Sequence, residues 1–192
     1  YTMKPRVLIG YSACPLTRAA FDAAGCEAWT CDLLPSRGGD SDKHIQGDVW
    51  GALSQPWDFA VLHPMCTYLT VSAAWAFTDG PYHQKVKPGT LVGAARREAR
   101  ELALENFRRL LSLPFPVAIE NPAPSFVSKA IRPPSQTIQP YEFGDDASKR
   151  TGLWLSDGVP LLRPTLRVPG RMVNGRERWA NQTDSGQNRL SP

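Results

Sequence analysis

At 192 residues, 42% of them apolar, the chain is long enough to bury the core of a single domain. No apolar run approaches the length of a membrane span, and Tyr-Thr-Met-Lys-Pro at the N-terminus carries no apolar signal region, so a cytoplasmic protein with no membrane contact is expected. A net charge of +4 permits a nucleic-acid partner without demanding one. Cys14, Cys26, Cys31 and Cys66 form no CxxC pair, and His44, His63 and His83 are too few for a histidine cluster, so no metal site is expected.

In chain order, Arg6-Val-Leu-Ile-Gly10 reads as a first strand. Pro15 to Ala24 reads as a helix, with proline at its start and Gly25 as its stop. Glu27 to Cys31 is a second strand followed by Asp32, and Pro35 to Lys43 is a polar loop. His44 to Asp48 is a short third strand and turn, and Phe59 to Leu62 a fourth strand. Ser72 is a candidate cap for a short helix through Phe77, ended by Gly80-Pro81. Thr90 is a candidate cap for a long helix from Leu91 to Leu111, with Leu91, Ala95, Ala99, Leu102, Leu110 and Leu111 as its apolar positions and Glu105–Arg109 as an i,i+4 pair. Its arginines, at 96, 97, 100, 108 and 109, form either a solvated face or a phosphate contact. Val117 to Ile119 and Thr151 to Leu155 complete the strands, and the residues from Asp157 onward show little regular pattern. Strands alternating with helices imply an α/β fold: a doubly wound, mostly parallel sheet. The expected organisation is one catalytic domain over residues 3–156, with a loop-rich extension over 157–192 that belongs to it.

Several places could carry chemistry. Asp32 lies 22 residues beyond Gly10, the position from which an acidic residue can bond a ribose in nucleotide-binding folds, although Gly10-Tyr-Ser-Ala-Cys14 holds one glycine and no G-x-G-x-x-G. Asp48 could accept from an adenine amino group, or Gly47-Asp48 could be a plain turn. Cys66 ends the stretch His63-Pro-Met-Cys66 just past the fourth strand, whereas Cys14, Cys26 and Cys31 read as small buried hydrophobes. Glu120-Asn121-Pro122 ends the fifth strand on the same rim, and partial burial there is expected to raise the Glu120 pKa. Lys149 and Arg150 enter the last strand, as ligands for phosphate or a base carbonyl or as a strand-edge charge pair. A nucleophilic thiol facing a carboxylic acid is the equipment for attacking C6 of a pyrimidine while protonating N3.

Taken in order, these motifs over residues 6–155 resemble the DNA cytosine C5-methyltransferases, and most closely their small, phage-type branch with Tyr141-Glu-Phe-Gly144 and Lys149-Arg-Thr-Gly-Leu-Trp-Leu155. The resemblance implies a Rossmann-like class I methyltransferase fold. It implies Cys66 as nucleophile, Glu120 as partner of N3, and Pro64, Asn121, Lys149 and Arg150 around them. It places S-adenosylmethionine against Gly10, Tyr11, Ser12, Leu16, Asp32, Leu33, Asp48 and Val49. The target would be DNA cytosine, flipped out or single-stranded, in the host cytoplasm if the gene belongs to a phage.

The chain departs from that pattern in three places. The glycine-rich Phe-x-Gly-x-Gly loop is replaced by one holding Tyr11 and Cys14. Asn188 to Pro192 resembles only the start of a late motif, and the motif that closes the cofactor pocket is not seen before Pro192. Little room lies between Leu155 and Asn188 for a target-recognition domain, so a partner protein supplying recognition is an expectation. Two other readings therefore stand beside the methyltransferase: a cytosine hydroxymethylase taking its carbon from methylenetetrahydrofolate, and a non-catalytic nucleic-acid-binding relative.

Overall fold

The computed structural model describes residues 3–39 and 42–188. Seven strands form the main sheet: β1 (Arg6–Gly10), β2 (Glu27–Asp32), β3 (His44–Gln46), β4 (Phe59–Leu62), β5 (Val117–Pro122), β6 (Gln136–Ile138) and β7 (Thr151–Leu155). Their order is β3-β2-β1-β4-β5-β7-β6. The first five are mutually parallel, and β7 runs antiparallel to both β5 and β6. The architecture is the expected α/β one, a Rossmann-like, mostly parallel sheet flanked by helices. The order reverses between β1 and β4, which is where such sheets open a crevice beyond their carboxyl ends.

Alternation along the strands sorts the core into two layers. Leu8 of β1 joins a large cluster with Leu62, Ile119 and Trp154, covered by α2 (Val49–Leu53) and α3 (Gly93–Leu111) through Val49, Leu53, Leu104, Phe107 and Leu110. Val7 and Ile9 point the other way, with Ala28, and meet Phe21 of α1 (Leu16–Ala23). Phe107 packs edge-on to Trp154 at 5.2 Å between ring centroids, and the indole N–H donates to the Arg132 carbonyl at 2.9 Å. Full burial of two such aromatic side chains contributes about 1.5–3 kcal/mol each, which fastens α3 across the sheet.

The long helix differs from its expected form. It begins after Val92 rather than at Thr90. Its buried face runs through Arg96, Leu104, Phe107 and Leu110, while Leu102 is 68% exposed. Glu105 pairs with Arg108 at 3.5 Å, not with Arg109. Ser72 caps nothing: Thr70 accepts from the Ser72 N–H and caps a 3-10 segment over Val71–Phe77. The tail also holds more structure than its composition suggests. β8 (Arg171–Val173) and β9 (Arg176–Arg178) form a separate hairpin around Asn174-Gly175, both with positive φ. Trp179 then stacks on Tyr141 at 3.9 Å, which docks the tail on the residues before β7. Short strands such as β6, and the short helix α4 (Phe126–Ala130), lack the length that makes a periodic pattern visible. No described helix is long and apolar enough to cross a membrane.

Candidate functional site

The parallel strands deliver their carboxyl ends to one rim: Gly10, Asp32, the turn after Leu62, and Glu120-Asn121-Pro122. Two features occupy it, a cavity beyond β1, β2 and β4, and a polar cluster between β4, β5 and β7.

The cavity has a volume of about 560 Å³. Tyr11, Asp32, Leu33, Asp48 and Val49 line it, together with Cys31, Trp50, His63, Met65 and Asn106. Gly10, Ser12 and Leu16 lie outside that wall. Gly10 is packed instead: a Cβ there would come within 2.7 Å of a Leu62 methyl and 2.8 Å of a Val49 methyl, so any larger residue would have to displace those core side chains. The Ser12 hydroxyl donates to the Cys14 carbonyl at 3.3 Å, and Leu16 is 75% exposed on α1. One Asp32 oxygen accepts from the Leu34 N–H at 2.9 Å, and one Asp48 oxygen caps α2 through the Trp50 N–H at 2.7 Å. Both side chains thus serve their own turns while standing in the cavity wall.

Tyr11 adopts φ 58°, a left-handed backbone that costs a non-glycine residue about 1–3 kcal/mol and persists only where its surroundings enforce it. Asn106 of α3 supplies that enforcement: its amide N–H donates to the Tyr11 hydroxyl at 3.1 Å, and its amide oxygen accepts from the Trp50 indole at 3.0 Å. Burial raises the Tyr11 pKa despite that bond, so the phenol stays neutral. Asn106 and Trp50 had no sequence signal, because neither belongs to a strand-end motif. Cys31 is fully buried, and burial followed by the nearby Asp32 and Asp48 charges pushes its thiol up to about 11. It is an inert thiol, as expected of a small hydrophobe.

At the second feature, Cys66 leads a tight turn in which its carbonyl accepts from the Leu69 and Thr70 N–H groups, each at 2.9 Å. The turn is tied from two sides. Asn121, 1% exposed, donates its amide N–H to the Pro64 carbonyl at 2.9 Å. Arg96 donates to the Thr67 carbonyl at 2.9 Å and the Leu91 carbonyl at 3.2 Å, and its guanidinium lies over Phe77 at 4.8 Å. Arg96, read from sequence as part of the basic face, is 4% exposed and braces the Cys66 turn from within. The other four arginines also find internal partners: Arg97 with Asp79, Arg100 with Glu101, Arg108 with Glu105, and Arg109 over the Trp50 ring.

Glu120 stands between the His63 ring and the Lys149 ammonium. Its Oε2 lies 3.3 Å from His63 Nδ1 and its Oε1 lies 3.6 Å from Lys149 Nζ. The expected rise in its pKa is reversed. Burial pushes it up, but the His63 hydrogen bond and the Lys149 charge together outweigh burial, and the carboxyl sits below its usual value. His63 is the residue that sequence reasoning passes over, although it stands in the same His63-Pro-Met-Cys66 stretch. Lys149 reaches Glu120 because Ser148 is clamped: its N–H donates to the Asn181 amide oxygen at 2.9 Å, and its carbonyl accepts from Asn181 at 2.9 Å and Asn188 at 3.0 Å. Arg150 is exposed, and its carbonyl accepts from the Ala123 N–H at 3.0 Å. Of the late motif read from Asn188 onward, residues 189–192 lie outside the described residues.

Comparison with models of known protein families gives no match, and comparison with curated proteins gives none either.

Proposed function

We propose that this protein modifies C5 of cytosine in DNA, as a methyltransferase that uses S-adenosylmethionine and attacks the base through Cys66. The observation that carries the reading is the bond from Asn121 to Pro64, which fastens the Cys66 turn to the strand end that presents Glu120. A nucleophile and an acid–base group thereby belong to one braced unit rather than to two independent loops.

In this reading the Cys66 thiolate adds to C6, the C5=C6 bond opens, and Glu120 holds the proton that N3 acquires. C5 becomes nucleophilic. After transfer the C5 proton leaves, the sulfur–C6 bond breaks, and the N3 proton returns to Glu120. The base must leave a duplex stack to reach Cys66, and the exposed Lys149 and Arg150 are suited to its carbonyl and flanking phosphate.

The cavity fits a nucleoside-bearing donor. Asp32 and Asp48 offer acceptors for hydroxyl and amino groups, Trp50 and Tyr11 offer aromatic surface, and Met65 reaches the same wall from the Cys66 turn. S-adenosylmethionine, when bound, supplies an electrophilic methyl group. Tyr11 supports a second reading, because its side chain replaces glycine where the donor's chain would approach the backbone; a methylenetetrahydrofolate donor would then give hydroxymethylcytosine. The hairpin β8–β9 is small for target recognition, which favours a partner protein for that task. Mass spectrometry of nucleosides from cytosine DNA incubated with each donor tests the reading: 5-methylcytosine supports the first donor, 5-hydroxymethylcytosine the second, and unmodified cytosine with both counts against the proposed function.

A further inference from the structure

Glu120 must deliver a proton to N3, yet its two oxygens face the His63 ring at 3.3 Å and the Lys149 ammonium at 3.6 Å, partners that favour the ionised carboxylate. The proton therefore has to reach Glu120 from a neighbour at the moment of attack. We propose that His63 stores this proton and, acting through Glu120, hands it to N3 of the target cytosine and takes it back when Cys66 departs. The inference rests on the proposed cytosine chemistry and adds a residue to it.

Geometry selects His63. Its Nδ1 is 3.3 Å from Glu120 Oε2. A carboxylate oxygen only accepts, so Nδ1 carries the hydrogen in that contact. The backbone that carries the ring is held in place, since the main-chain N–H of His63 donates to the Gly10 carbonyl at 3.1 Å and Pro64 follows it, restricting its conformation. His63 also lines the cavity beside β1, with its side chain 32% exposed, so it can take up its proton from solvent before attack. Lys149 is less suited, because an ammonium gives up its proton well above neutrality whereas imidazole ordinarily exchanges near it. The charged and titratable groups facing His63 are Glu120 from β5, Lys149 before β7, and Asp32, Asp48, Cys31 and Tyr11 around the cavity.

The steps balance. As the sulfur–C6 bond forms from the Cys66 thiolate, the imidazolium form of His63 gives its Nδ1 proton to Glu120 while Glu120 gives a proton to N3, leaving a neutral imidazole with its remaining hydrogen on Nε2 and an ionised carboxylate. When the sulfur–C6 bond breaks, both transfers run backward, and no net proton is consumed at N3.

Two measurements test this. The first needs no substrate. Nitrogen-15 NMR of the ring at pH 6, assigned by its loss in His63→Gln, is expected to show hydrogen on both nitrogens, with an Nδ1 resonance that moves in Glu120→Ala as its hydrogen bond is lost. A ring with no hydrogen on Nδ1 at that pH would overturn the relay whatever the enzyme does to cytosine. The second follows release of label from the C5 position of cytosine DNA without donor, as a function of pH, because in the covalent adduct C5 can take up a solvent proton and lose the labelled one before the sulfur leaves. Wild-type exchange is expected to fall as pH rises above neutrality. His63→Gln is expected to be at least about tenfold slower at pH 6.5 with that fall abolished, and free imidazole is expected to restore part of the rate to His63→Ala. A His63→Gln enzyme with the wild-type rate, or one slowed equally at every pH, overturns the proposal. A wild type that exchanges no cytosine contradicts the cytosine chemistry itself and the relay with it, while the Nδ1 hydrogen still reports whether His63 and Glu120 are paired.

Discussion

Replacing Asn121 with alanine removes the bond that joins the Cys66 turn to β5. Its amide N–H donates at 2.9 Å to the Pro64 carbonyl, and the side chain is 1% exposed, so water cannot replace it. A buried acceptor left unsatisfied costs about 1–3 kcal/mol. The Asn121 amide oxygen has no partner of its own among the described residues, so its removal returns part of that cost. The net loss expected is about 2 kcal/mol. For a chain of this size each kcal/mol lowers Tm by about 2–4 °C, so the midpoint should fall by roughly 4–8 °C. Calorimetry reads that shift. Single-turnover kinetics on cytosine DNA should show a slower covalent step with substrate affinity little changed, because the turn loses its register against Glu120 rather than its binding surface. An unchanged Tm together with an unchanged single-turnover rate would refute the idea that this bond braces the site.

Arg96→Met should lower stability in urea by about 2 kcal/mol, since the Thr67 and Leu91 carbonyls each lose a charged donor while the unpartnered Nε is relieved of its burial; a stabilised variant would mean the brace is dispensable. Glu120→Gln should be less stable than the wild type at pH 7, with the gap closing in acid. The sign follows from a folded pKa held below its usual value: the stabilisation is present above the unfolded value of about 4.3 and is lost as pH falls through the folded one. Urea titrations at pH 7 and pH 3 check this, and a gap that widens in acid contradicts it. Asp32→Ala should weaken S-adenosylmethionine binding by about 1–3 kcal/mol in calorimetric titration, a charged hydrogen bond's range; tight binding that survives the change would move the donor away from this cavity.

The strand ends were the legible part of this chain. Apolar runs stopping at Gly10, Cys31, Leu62 and Ile119 report parallel strands buried on both faces, and the rim they define holds Asp32, Asp48, Cys66 and Glu120. What escaped depends on tertiary partners. Arg96 looks like its exposed neighbours until Thr67, Leu91 and Phe77 close over it. Leu102 fits an apolar helical stripe, yet the helix rotates to bury Phe107 against Trp154 instead. The Glu120 pKa was misread because burial alone raises it, and only the fold brings His63 and Lys149 to its two oxygens. Asn106 acts from the middle of a helix, where nothing local marks it as the partner of Tyr11 and Trp50.

The central claim is a covalent bond between Cys66 and cytosine C6. Intact-protein mass spectrometry after incubation with 5-fluorocytosine DNA and a one-carbon donor tests it most directly, because fluorine at C5 prevents the elimination that frees the sulfur. The account predicts a stable protein–DNA adduct in the wild type, its attachment mapped to Cys66, and none in a folded Cys66→Ala protein. An adduct that persists in Cys66→Ala, or a wild type that forms none with S-adenosylmethionine or methylenetetrahydrofolate, would contradict it.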